Sequence, residues 1–177
     1  MSGQFVVSAP DVAVGGIVAS RIFAYAGVSS TPIQINVTAN NLSTLSQTFF
    51  VSAKANNTLI GNQTVTVPGG QIIIVSFQWN TNAFTNSTFT LSAQATRVTG
   101  ETNMANNNQT DGKFVVRLKG DVSNDCKVDI VDLATVGSTF GKTQGAPGFN
   151  SSADLNNDAT INIVDLVLVA SNFGHTC

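Results

Sequence analysis

Charge is scarce in this 177-residue chain, where Asp, Glu, Lys and Arg together make up 10% of residues. The eight Lys and Arg are dispersed and the formal net charge is −2, which excludes a basic surface for nucleic acid. There is one histidine, His175, and only two cysteines, with no CxxC or Cys/His cluster to hold zinc or do redox chemistry. No Ser or Cys stands with a candidate base, and no glycine-rich phosphate loop follows a strand, so no catalytic constellation is expected and the chain reads as a non-enzyme. One Trp and one Tyr leave little for an aromatic sugar platform. No apolar run approaches the roughly 20 residues that span a bilayer. Met1-Ser-Gly-Gln lacks the basic start and apolar core of a signal peptide, so the chain is expected to begin at or near a processed N-terminus.

The few acids that exist are concentrated. Of nine Asp and one Glu, seven fall in two stretches offset by 33 residues, Asp121-Val-Ser-Asn-Asp-Cys-Lys-Val-Asp-Ile-Val-Asp132 and Asp154-Leu-Asn-Asn-Asp-Ala-Thr-Ile-Asn-Ile-Val-Asp165. Oxygen-bearing side chains recur at loop positions 1, 3, 5, 9 and 12: Asp121, Ser123, Asp125, Asp129 and Asp132, then Asp154, Asn156, Asp158, Asn162 and Asp165. With the main-chain carbonyls of Lys127 and Thr160 at position 7, each loop supplies the oxygen set that a hard cation collects, and two Ca2+ sites are predicted. Residues 120–177 carry these seven acids against Lys127 and Lys142, a net of −5, whereas residues 1–119 hold three acids against six bases, a net of +3. Repulsion within the acidic segment predicts metal-dependent folding. Position 6, where the chain turns through φ > 0, holds Cys126 and Ala159 in place of Gly, each at a penalty of about 1 kcal/mol. Site 1, with four carboxylates to the three of site 2, is expected to be the tighter.

The segments after the two loops repeat as well: Leu133, Val136, Ser138, Phe140 and Gly141 match Leu166, Val169, Ser171, Phe173 and Gly174. The apolar spacing predicts one short helix per loop, stopped at Gly141 and Gly174, with no entering helix because Gly120 and Gly145-Ala-Pro-Gly148 precede the loops. This duplicated unit, "GDVSNDCKVDIVDL" and "ADLNNDATINIVDL", resembles the dockerin family. That resemblance implies a calcium-loaded extracellular module that binds a cohesin-like partner through loop positions 10 and 11, here Ile130, Val131, Ile163 and Val164. The alternative reading of these four residues is burial against the neighbouring domain.

Residues 1–118 follow a period of two. Ile33–Thr38, Thr48–Ala53, Gln63–Val67, Gln71–Trp79, Ser87–Ala95 and Lys113–Leu118 alternate and are rich in β-branched residues, and turn clusters such as Pro68-Gly-Gly70 separate them. Short strands at this spacing predict a β-sandwich. "INVTANNLS" (Ile35–Ser43), "VSFQWNT" (Val75–Thr81) and "GETNMANNNQTDGKFVV" (Gly100–Val116) resemble the CARDB-like, immunoglobulin-type domains of archaeal and bacterial surface proteins. The expected fold is therefore mainly β: an Ig-like sandwich at 1–118 and a small α module with two calcium loop-helix units at 119–177.

An extracellular, cell-surface address is expected. Seven sequons, at Asn36, Asn41, Asn56, Asn62, Asn86, Asn108 and Asn150, are candidate glycosylation sites. Cys126 in the first loop and Cys177 beyond the second helix are predicted to form a disulfide, since the ends of a two-unit pseudo-symmetric module tend to meet; the alternative is free or intermolecular thiols. The tract at 1–9 is apolar and β-prone, and Phe5, Val6 and Val7 are candidate partner-binding residues if it adds to the sheet edge of a neighbouring copy; the alternative is a first strand in its own sheet. The main expectation is a calcium-stabilised structural subunit that self-associates into a homopolymer, a surface filament or layer. The rival is a dockerin-bearing adhesion or binding module docking to a cohesin-like partner.

Overall fold

The computed structural model describes residues 8–26, 32–84 and 86–177. Phe5, Val6 and Val7 lie outside them. Among the described residues eight strands precede two helices: β1 (Val12–Ala19), β2 (Phe23–Tyr25), β3 (Ile33–Asn41), β4 (Gln47–Ala55), β5 (Thr58–Val67), β6 (Ile72–Trp79), β7 (Ser87–Ala95), β8 (Asn108–Arg117), α1 (Ile130–Ser138) and α2 (Ile163–Ala170). The strands form two sheets, ordered β1-β3-β6 and β2-β8-β7-β4-β5. All six strands expected from alternation are present. The two that alternation did not mark have local reasons: Gly15 and Gly16 interrupt β1 where its register against β3 shifts, and β2 is three residues long and pairs in parallel with β8.

The chain divides into two compact units that are not contiguous in sequence. The first comprises Met1–Ser20, Ile33–Trp79 and Phe89–Phe114, and the second Arg21–Pro32, Asn80–Thr88 and Val115–Cys177. The expected boundary at 118/119 falls inside the second.

In the first unit, period-two burial runs along the strands, with Ile33, Ile35, Val37 and Ala39 of β3 and Phe49, Val51, Ala53 and Ala55 of β4 all buried. Trp79 anchors the interior, with Phe89 edge-on and Phe114 tilted, each 5.1 Å away between ring centroids. Two buried polar side chains organise the turns. Glu101 accepts from Val12 N (2.7 Å), Val98 N (3.0 Å) and Asn107 Nδ2 (3.2 Å), tying the start of β1 to the bend before β8. Asn41 donates from Nδ2 to the carbonyls of Leu45 and Val67, both at 2.8 Å, while Oδ1 accepts from Ser43 N and Oγ.

The second unit has its own core of Val122, Val128, Val136, Ala153, Leu155, Ile161 and Val169, completed by Tyr25 from β2. Tyr25 is 1% exposed, and its hydroxyl donates to the carbonyl of Ser152 at 2.6 Å. Burial pushes the phenol pKa up, with Arg117 opposing the shift. Arg117 also stacks over Phe23, 4.0 Å from the ring centroid, and donates to Ser152 Oγ at 3.0 Å. A segment about a hundred residues upstream thus supplies the largest side chain in the core of the acidic module.

Candidate metal centre

The two acidic loops share their backbone-to-carboxylate hydrogen bonds. In the first, Asp121 accepts from Asp125 N (3.1 Å) and Cys126 N (2.9 Å); in the second, Asp154 accepts from Asp158 N (3.1 Å) and Ala159 N (3.0 Å). At position 12, Asp132 accepts from Val122 N, Ser123 N and Asp129 N, all at 2.8 Å. Asp165 accepts from Leu155 N (2.8 Å), Asn156 N (3.3 Å) and Asn162 N (2.8 Å). To wrap its amides around these carboxylates the chain turns left-handed twice per loop, at Asn124 (φ 61) and Cys126 (φ 69), then at Asn157 (φ 59) and Ala159 (φ 69). Position 6 therefore has the backbone expected of it despite its Cβ.

Positions 9 and 12 have a second task that ligand spacing did not reveal. Asp129 caps α1 by accepting from Val131 N at 2.8 Å, and Asn162 caps α2 by accepting from Val164 N at 2.7 Å, so Asp129/Asp132 and Asn162/Asp165 are reciprocal capping boxes. The D-x-x-D and N-x-x-D spacing ahead of an apolar run is the signal that marks them. Each last predicted ligand is thereby welded to a helix start.

The tails after the helices pair with the opposite loops. Residues following α1 bond to the second loop through Gly141 N to Ile161 O (2.8 Å), Ile161 N to Lys142 O (2.8 Å) and Gln144 N to Ala159 O (2.9 Å). Residues following α2 bond to the first loop through Gly174 N to Val128 O (2.8 Å), Val128 N to His175 O (2.9 Å) and Cys177 N to Cys126 O (3.1 Å). Gly141 and Gly174 enter these tails at φ 79 and 84, as C-terminal helix stops do. Position-7 residues Lys127 and Thr160 form bridges with Thr176 and Thr143. Cys126 and Cys177 are disulfide-bonded, with Cα atoms 5.1 Å apart.

The donor set fits a hard cation. Asp121, Asp132, Asp154 and Asp165 are buried, and the backbone N–H groups that donate to them are neutral. Of roughly four acceptor sites on a carboxylate, three are used at Asp132 and at Asp165, which leaves room for a ligand bond. Burial raises the Asp154 pKa, with amide bonds from Ala159 and Asp158 opposing. Exposed Asp158 is held below the usual carboxylate range, first by the Asn156 amide, which donates to it at 2.8 Å. Among the described residues no three His, Cys, Asp or Glu side chains converge as a ready cluster.

Beside the loops lie the apolar pairs. Ile130 and Val131 open α1 at 67% and 51% exposure, and Ile163 and Val164 open α2 at 62% and 46%. Val167 continues the exposed stripe on α2, where the equivalent residue of α1 is Ala134. Among the sequons, Asn56, Asn62, Asn86 and Asn108 are exposed, and Asn36 and Asn150 are half-buried. Asn41 is corrected: at 1% exposure, with both amide hydrogens committed, it is a structural clamp with no room for a glycan.

Residues 119–173 match the Dockerin type I domain. Over the strands, a crystal structure of the CARDB domain of a Pyrococcus furiosus protein in complex with di-metal ions is similar at 22% identity and a TM-score of 0.52, covering 63% of this chain and 96% of that one. A solution NMR structure of that CARDB domain, also from Pyrococcus furiosus, is similar at 21% identity and a TM-score of 0.50, covering 62% and 94%. Identities this low speak for the fold alone. No curated protein matches the chain. Dockerin type I domains typically bind calcium and imply a cohesin-type partner, and neither module type is catalytic. Among the described residues no helix is long and apolar enough to cross a membrane. Residues 119–173 are thus a dockerin type I domain that follows, in sequence, a β-sandwich of CARDB-like fold.

Proposed function

We propose that this chain is a non-catalytic, extracellular docking and adhesion module that presents the N-terminal ends of α1 and α2 to a cohesin-like partner. The observation that carries this reading is the exposure of Ile130, Val131, Ile163 and Val164 at the matching positions of two like helices. Apolar pairs at these positions call for a partner face that is itself apolar, since burying such residues against polar groups would leave those groups unpaired. Calcium, when bound, supplies positive charge that neutralises the clustered carboxylates. Asp121, Ser123, Asp125, Asp129 and Asp132 with the Lys127 carbonyl would hold one ion, and Asp154, Asn156, Asp158, Asn162 and Asp165 with the Thr160 carbonyl the other. Because Asp129 with Asp132 and Asn162 with Asp165 also form the capping boxes of α1 and α2, the loops set the position of the helix ends that carry the docking pairs. Sparse charge, exposed sequons and the disulfide agree with an oxidising, extracellular address.

The experiment is titration calorimetry of the calcium-saturated chain against a panel of purified cohesin domains, with Ile130→Asp/Ile163→Asp as the control. Binding that this double substitution abolishes is expected. The reading is overturned if no cohesin binds, or if binding is indifferent to the substitution.

A second reading, self-association into a filament by strand addition, has one observation in its favour. β6 is an edge strand without a charged residue, and Ile72 and Ile74 on it are exposed. A sedimentation profile of discrete monomers at high calcium and high protein concentration would exclude it.

A further inference from the structure

The calcium reading leaves the disulfide without a task, and the internal repeat shows what that task is. Cys126 sits at position 6 of the first loop, where φ is 69 and an L side chain is strained. Its N–H donates to Asp121, the first ligand, so the turn at this residue aims the carboxylate. In the second loop Ala159 adopts the same φ and makes the same bond to Asp154. What differs is the tie on the far side. Ala159 is held through its carbonyl by Gln144 N, a residue only 15 positions away, whereas Cys126 is held by Cys177 N across 51 positions. Closing the longer stretch costs more chain entropy. The extra sulfur–sulfur bond falls on that longer closure, at the residue pair equivalent to Ala159 and Gln144.

We infer that the Cys126–Cys177 disulfide is a positioning element for the first calcium loop alone, so that calcium uptake at Asp121–Asp132 depends on the oxidation state of this bond while uptake at Asp154–Asp165 does not. This rests on the two loops binding calcium. Cys177 is exposed, so a dithiol reaches the bond from solvent. The disulfide then takes up two electrons and two protons to give two thiols, and the dithiol is oxidised to its own cyclic disulfide.

The test uses the full chain in two backgrounds. Asn156→Ala/Asp158→Ala leaves the first loop to be titrated, and Ser123→Ala/Asp125→Ala leaves the second; these four residues are partly or fully exposed, so the buried carboxylates stay in place. Calcium is titrated by calorimetry into each variant, oxidised and after reduction by dithiothreitol, and into the same variants carrying Cys126→Ala/Cys177→Ser. Loss of the bond is expected to weaken the first loop about tenfold, a part of what a cross-link of this span contributes, and to leave the second within twofold. An unchanged first loop overturns the inference. So does an equal loss at both loops, which would mean that the bond merely keeps the whole unit folded. A different outcome, no calcium uptake by either loop in the oxidised chain, would refute the calcium reading itself.

Discussion

Replacing Tyr25 is the sharpest probe of how the dockerin domain is built. Its ring is buried among Val122, Val128, Val136, Leu155, Ile161 and Val169, its edge meets Phe23 at 5.6 Å between centroids, and its hydroxyl satisfies the carbonyl of Ser152, two residues before the first ligand of the second loop. Tyr25→Phe removes one buried hydrogen bond and leaves that carbonyl unpaired, a loss of about 1 kcal/mol. Tyr25→Ala empties the ring volume as well and should cost about 3–5 kcal/mol, as buried aromatic truncations do. For a unit of this size each kcal/mol moves the midpoint by roughly 4–8 °C. The assay is thermal unfolding at saturating calcium, followed by far-UV circular dichroism at the helical band, since α1 and α2 are the only helices among the described residues. The expected order of midpoints is wild type, then Tyr25→Phe, then Tyr25→Ala, with the last step the larger. If Tyr25→Ala leaves the helical transition where it was, β2 does not hold the calcium module's core together, and the reasoning is refuted.

Chelation should lower the midpoint of the helical transition and weaken capture of a cohesin panel together, because the buried Asp132 and Asp165 in the capping boxes lose their counter-charge; circular dichroism with EDTA and with added calcium measures this. Glu101→Ala should destabilise the first unit by about 3 kcal/mol or more, since Val12 N, Val98 N and Asn107 Nδ2 would be left buried without their acceptor; calorimetric calcium uptake should be unchanged. Peptide mapping of glycosylated protein should find Asn41 bare even where Asn62 or Asn108 is occupied, and Asn41→Asp should unfold or destabilise the sandwich by losing the two bonds to Leu45 and Val67.

The turn geometry of the two acidic loops was legible because it is set within twelve consecutive residues. Ligand spacing, the strained turn at Cys126 and Ala159, the short helices and their glycine stops are all local. Six strands were legible for the same reason, as alternation survives wherever one face is buried, while paired glycines hid β1 and brevity hid β2. The capping role of Asp129, Asp132, Asn162 and Asp165 was also written in the spacing, but ligand chemistry claimed those residues first.

Other features depend on which distant residues meet, and spacing carries no information about that. An apolar pair at a helix start reads the same whether it is covered or bare, so only the three-dimensional fold showed Ile130, Val131, Ile163 and Val164 facing solvent. Likewise, nothing near Tyr25 or Glu101 announces that one completes the core of an acidic module far along the chain and the other clamps the start of a strand. By itself the sequence determined the two repeated acidic loops and the two kinds of fold, because those are short-range patterns of charge and period. The tertiary structure alone decided that Tyr25 completes the core of the second unit and that Glu101 and Asn41 are buried clamps, because burial is settled by contacts between segments that the chain order does not join.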